Sequence, residues 1–266
     1  MKKALLIIAL AISLNSLIGQ DNGNIALING IEMYYEIHGS GDPLILLHGF
    51  LGSGDFWDPF IESFSKHFKV IVPDLRGHGK STNPLDHWTM SQSARDIYAL
   101  MDHLKIERCN CIGFSTGAKT LLHMATQNSQ RIEAMILIGG AMYYPDDLRI
   151  ILAEFQLTED QWDEYRKIHE HGDDQIKKLV RQFNECADDY DDMTFIPPDL
   201  ARIKAKTLIV HGDRDWGYPV SMASQMYESI PNSYLWVVPN GSHWPIIQSN
   251  SEAFIKTSTE FLIKWN

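Results

Sequence analysis

Gly113-Phe114-Ser115-Thr116-Gly117 stands directly after an apolar strand pattern and opens a helical one. No other feature constrains the chain as much. A turn that passes from strand to helix at one residue forces that residue into unfavourable backbone angles, and it closes only if small residues lie two positions before and after it. Such a turn lifts the serine Oγ to the end of the sheet and sets it at a helix N-terminus, whose partial positive charge favours a developing anion. Ser115 is therefore a candidate nucleophile, and its flanks call for an α/β architecture.

The rest of the chain keeps the same alternation. Residues 25–28 and 31–37 read as antiparallel strands joined by Asn29-Gly30, a strong hairpin signal. Short apolar strand patterns at 44–47, 69–72, 108–112, 134–138, 207–210 and 234–238 are separated by helical patterns at 56–67, 91–104, 115–127, 220–230 and 253–265. This order predicts a mostly parallel sheet with helices on both faces. Residues 142–200 interrupt it with helical signals only. Thr158-Glu159-Asp160-Gln161 is a capping box, Gly172 is expected to end the helix it opens, and Ile176, Leu179, Val180 and Phe183 stripe the next. Residues 142–200 are thus expected to form a helical cap inserted between two parts of one core, 21–141 and 201–266.

Lys2 and Lys3 followed by an apolar run from Ala4 to Leu14 give residues 1–20 the layout of a secretory signal peptide. The run is short for a membrane span, which needs roughly 20 residues. The expected product is exported, cleaved near residue 19, with an N-terminal membrane anchor as the alternative. The chain of 266 residues carries 23 Lys+Arg against 34 Asp+Glu, a net charge of −11 that repels polyanions and argues against nucleic-acid binding. Cys109 and Cys111 share one face of a predicted strand and are expected to be buried thiols, with Cys186 alone elsewhere. Residues 146–192 hold fifteen Asp+Glu and six Lys+Arg, a local balance of −9. The run Asp188-Asp189-Tyr190-Asp191-Asp192 lacks the glycine turn of a calcium loop and reads as a solvated cap surface. No zinc spacing, dinucleotide fingerprint or phosphate loop is present, so no metal or cofactor is expected.

Four further motifs accompany the serine turn. They are His48-Gly49-Phe50-Leu51-Gly52, Asp74-Leu75-Arg76-Gly77-His78-Gly79-Lys80-Ser81, Gly212-Asp213-Arg214-Asp215 and Gly241-Ser242-His243-Trp244-Pro245. On these residues the chain resembles the α/β-hydrolase superfamily over nearly all its length beyond the N-terminal segment. The resemblance implies an eight-stranded sheet with a cap after the sixth strand. It also implies a triad in the chain order Ser115, Asp215, His243, as nucleophile, acid and general base. His48, His78 and His211 read as bracing residues, and Asp213 competes with Asp215 for the acid until the resemblance favours Asp215. The position after the sixth strand, where some relatives carry the acid, reads Gly139-Gly140-Ala141. The amides of Phe50 and Thr116 are the implied oxyanion hole. Trp57, Phe114, Trp216 and Trp244 flank these motifs, as a pocket wall or as core.

A serine at the turn argues, by the same resemblance, against dehalogenases and epoxide hydrolases, which carry Asp there. Esterases, thioesterases, lactonases, carbon–carbon bond hydrolases and perhydrolases remain, and so does a slow-turnover ligand receptor on the same fold. Ester cleavage asks least beyond the triad, so a small, neutral ester is the expected substrate.

Overall fold

The computed structural model describes residues 23–264. The expected signal peptide, residues 1–20, lies outside the described residues. In chain order the elements are β1 (Gly23–Ile28), β2 (Ile31–His38), β3 (Asp42–Leu47), α1 (Asp58–Ser65), β4 (Phe68–Pro73), α2 (Met90–His103), β5 (Cys109–Phe114), α3 (Thr116–Asn128) and β6 (Ile132–Ile138). They continue with α4 (Asp146–Glu154), α5 (Glu159–Ile168), α6 (Asp173–Glu185), α7 (Pro197–Leu200), β7 (Lys206–Gly212), α8 (Val220–Ser229), β8 (Ser233–Val238) and α9 (Ser251–Lys264).

The eight strands form one sheet in the order β1-β2-β4-β3-β5-β6-β7-β8. β1, β2 and β4 pair antiparallel, and from β4 across to β8 all pairing is parallel. Asn29 and Gly30 both have positive φ, as a two-residue turn matched to strand twist requires. Because successive side chains alternate across a strand, β6 feeds both faces of the sheet. Met135 and Leu137 join the core under α2, α3 and α8, while Ala134, Ile136 and Ile138 join the core under α1 and α9. Cys109 and Cys111 are buried free thiols on one face, with Sγ atoms 3.5 Å apart.

From β3 the chain crosses to β4 on one side, and β5 lies on the other side. The carboxyl ends of β3 and β5 therefore border a topological switch point, where open α/β sheets place their ligands. Among the described residues no helix is long and apolar enough to cross a membrane.

Helices α4 to α7 lie between β6 and β7. The capping box at Thr158 and Gln161 forms, but α5 already ends at Ile168, and Gly172, at φ 78°, is the N-cap of α6 rather than the end of α5. His169 leaves the helix early because its ring turns inward. Its Nδ1 accepts from the Gly79 amide at 2.9 Å, and its Nε2 lies 3.2 Å from the Leu51 carbonyl. The acidic run is also less solvated than its composition suggests. Asp192 is buried and accepts from the amides of Met90 at 2.6 Å and Ser91 at 2.9 Å, so it helps to cap α2.

Candidate active site

Ser115 connects β5 to α3 with φ 51° and ψ −110°, a conformation that costs a non-glycine residue free energy and persists only where its surroundings enforce it. Two close approaches do so. A Cβ on Gly113 would run into the Gly117 backbone, and one on Gly117 would run into the Leu47 carbonyl at the end of β3. The half-buried serine stands at the N-terminus of α3, on the positive end of the helix dipole.

His243 comes from the loop after β8 and Asp215 from the turn after β7. His243 Nε2 lies 3.0 Å from Ser115 Oγ, and Nδ1 lies 2.7 Å from Asp215 Oδ2. A carboxylate has no proton to give, so Nδ1 carries the hydrogen and Nε2 is left to accept from the serine hydroxyl. The other carboxylate oxygen, Oδ1, accepts from the amides of Gly217 at 2.9 Å and Tyr218 at 3.1 Å. Burial works to raise the Asp215 carboxyl, but the bonds from His243 and the two amides outweigh it and hold the group below its ordinary value. Asp213 makes no hydrogen bond to the histidine, and its Oδ1 is buried without a partner among the described residues. Gly139 packs against His243, and a Cβ there would stand 3.1 Å from the His243 carbonyl and 3.2 Å from its imidazole.

The amides of Phe50 and Thr116 engage no hydrogen bond among the described residues. The loop carrying Phe50 is braced by His48, whose Nδ1 donates to the Gly49 carbonyl at 2.7 Å while Nε2 accepts from the Leu75 amide at 2.9 Å. Burial pushes the His48 imidazole down to about 4, so it stays neutral and can play both parts. The Phe50 ring stacks on Phe183 of α6 with centroids 4.5 Å apart, tying this loop to the helical insert.

The four aromatic residues separate into two groups. Trp216, 57% exposed, and Trp244, 43% exposed, stand 6.0 and 5.5 Å from the His243 ring. Phe114 lies 5.3 Å from the same ring. Trp57 does not belong with them. It closes a 310 turn ahead of α1 that points its indole into the core, where it is fully buried beside Phe60. The preceding residue, Phe56, reaches the site side instead and stacks on Phe114 at 4.7 Å. A one-residue offset of this kind comes from the tight turn and leaves no trace in hydrophobic periodicity. The sequence reading also passed over Lys119, Tyr144 and Tyr218. A lysine one turn after the serine, the one full charge in the helical pattern of residues 115–127, was the available signal. A cavity of about 430 Å³ opens between the β1–β2 turn, residues 77–84 and α6, and Ser115, Asp215 and His243 do not line it.

The sequence profile of the alpha/beta hydrolase fold family matches residues 42–197, more than half of the chain. The chain belongs to that family. Serine hydrolase BPHL of Homo sapiens is 28% identical over 88% of this chain and 84% of its own length. The 2-hydroxy-6-oxo-6-(2'-aminophenyl)hexa-2,4-dienoic acid hydrolase of Metapseudomonas resinovorans is 23% identical over 88% of each chain. Among solved structures, the enol-lactonase of Burkholderia xenovorans superimposes with a TM-score of 0.75 at 26% identity, covering 91% of this chain and all of that one. The family and its eight-stranded sheet thus agree with what the motifs implied.

Proposed function

We propose that this α/β hydrolase is a serine hydrolase that cleaves a small, neutral carboxylic ester through an acyl-enzyme on Ser115. The observation that carries the reading is the unbroken chain Ser115 Oγ, His243, Asp215, at 3.0 and 2.7 Å, beside two unengaged amides. In this reading Ser115 Oγ attacks the ester carbonyl and passes its proton to His243 Nε2, while the Asp215 carboxylate stabilises the imidazolium. The carbonyl oxygen, now negative, receives the amides of Phe50 and Thr116, each worth roughly 3 kcal/mol in the transition state. The carbon–oxygen bond to the alcohol breaks, and the alcohol leaves with the proton from His243. Water repeats the sequence and releases the acid. Relatives named as a serine hydrolase and an enol-lactonase support this chemistry.

A fluorophosphonate probe is expected to modify Ser115, and Ser115→Ala to abolish labelling. Mass spectrometry that finds the probe on another serine overturns the assignment.

The substrate class follows from the surroundings. Trp216, Trp244 and Phe114 offer apolar contact beside the base, each buried methylene being worth about 0.8 kcal/mol. The balance of −9 over residues 146–192 sets a field against anionic substrates. Across p-nitrophenyl acetate, butyrate, octanoate and palmitate, kcat/KM is expected to be highest at the short end and to fall for a carboxylate-bearing ester at low salt. A palmitate optimum contradicts the size argument, and a preference for the anionic ester contradicts the charge argument.

A further inference from the structure

Lys119 lies one turn into α3 from the nucleophile, and its amide donates to the Ser115 carbonyl at 3.0 Å. The side chain is buried, and Nζ donates to Tyr218 Oη at 2.9 Å and to Tyr144 Oη at 3.3 Å. A buried ammonium is costly unless its hydrogen bonds do something with the charge. Tyr218 is where these bonds meet the triad. Its hydroxyl accepts from Lys119, its amide donates to Asp215 Oδ1 at 3.1 Å, its carbonyl lies 2.9 Å from His211 Nε2, and its ring stands 5.9 Å from the His243 ring.

We propose that Lys119 is a positioning residue for the triad: through the Tyr218 hydroxyl, its ammonium fixes the turn whose amides grip the Asp215 carboxylate. The assignment rests on the serine-hydrolase reading above. Lys119 touches no reacting atom. It joins the helix that carries the nucleophile to the turn that carries the acid, so the two move as one body. The groups that face it come from several elements: Tyr144 after β6, Cys186 at the end of α6, Asp192 before α7, and Asp215 and Tyr218 after β7. Burial lowers the Lys119 amine to about 8, against the pull of Cys186, Asp215 and Asp192. The charge that holds Tyr218 is therefore present at neutral pH and is lost as pH rises through about 8.

The experiment measures kcat for p-nitrophenyl acetate and the rate of fluorophosphonate labelling from pH 6 to 10 in the parent protein, Lys119→Met and Tyr218→Phe. In the parent, both rates are expected to fall by about tenfold through the alkaline limb as the charge-assisted bond weakens. Each variant is expected to show no such limb and to run flat near the parent's alkaline level, with KM little changed. Lys119→Met leaves the buried Tyr218 and Tyr144 hydroxyls without their donor, so its Tm at pH 7 is expected to fall by a few degrees, and only the pH profile of the folded variant reports positioning. Tyr218→Phe keeps the ring and serves if Lys119→Met folds poorly. Labelling at Ser115 with parental pH profiles in both variants overturns the proposal and leaves the hydrolase reading standing. A parent protein that the probe does not label at Ser115 removes both.

Discussion

Replacing Asp215 by Asn is expected to lower kcat by about 10⁴-fold while leaving the fold intact. The direction follows from which oxygen is already committed. Asp215 Oδ1 accepts from two backbone amides, at 2.9 and 3.1 Å, and only a carbonyl-type oxygen can do that. An asparagine must therefore keep its oxygen on the turn and direct its NH2 at His243. Nδ1 would then become an acceptor, and the ring hydrogen would move to Nε2, the nitrogen 3.0 Å from Ser115 Oγ. A protonated Nε2 cannot take the serine proton, so the nucleophile stays a neutral alcohol. Asp213→Asn, two residues earlier in the turn and without a bond to the histidine, is expected to lower kcat far less. Steady-state kinetics on an activated ester, with thermal melting as the folding control, compare the two. Reversed magnitudes would show that the acid is Asp213.

The sheet was readable because its rules are local. Alternating apolar strands and helices, the Asn29-Gly30 turn and the glycines around Ser115 each fix geometry within a few residues, and all eight strands lie within a residue or two of where periodicity placed them. The residues of the proposed triad lie just beyond the carboxyl ends of β5, β7 and β8, each inside a short motif that carries the family resemblance. What escaped depends on contacts distant in sequence. Lys119 meets Tyr218 across 99 positions, and Asp192 reaches the start of α2 across 102. Composition placed Asp192 on a solvated acidic surface, yet unsatisfied helix amides drew it inward. His169 ended α5 before Gly172 for the same reason: a buried acceptor was needed by the Gly79 amide.

The second large effect concerns stability. Asp96→Ala is expected to destabilise the fold by about 3–5 kcal/mol, because it leaves the Arg76 guanidinium buried and uncompensated. Arg76 donates through Nε to Asp96 Oδ2 at 2.7 Å and through a terminal nitrogen to Oδ1 at 2.8 Å, a two-pronged bond between nearly inaccessible side chains. Asn29 and Gln92 also donate to Oδ1, at 2.9 and 3.0 Å, so the carboxylate gathers the hairpin turn, the loop after β4 and α2 at one point. Distance alone would not rank this pair. Arg131 and Asp102 are also 2.7 Å apart, but Asp102 is 68% exposed, and water screens the attraction. Asp102→Ala is therefore expected to cost at most about 1 kcal/mol. For a domain of this size, 1 kcal/mol moves Tm by roughly 2–4 °C, so Asp96→Ala should melt about 10 °C lower and Asp102→Ala within a few degrees of the parent. Changing both partners, Arg76→Met with Asp96→Leu, removes the orphaned charge and is expected to recover much of the loss. Equal melting of the two single variants would mean that burial does not set the strength of the Arg76–Asp96 pair. Activity should follow stability in Asp96→Ala. Arg76 belongs to the loop whose Leu75 amide anchors His48, and His48 braces the turn that carries the Phe50 amide proposed for the oxyanion hole.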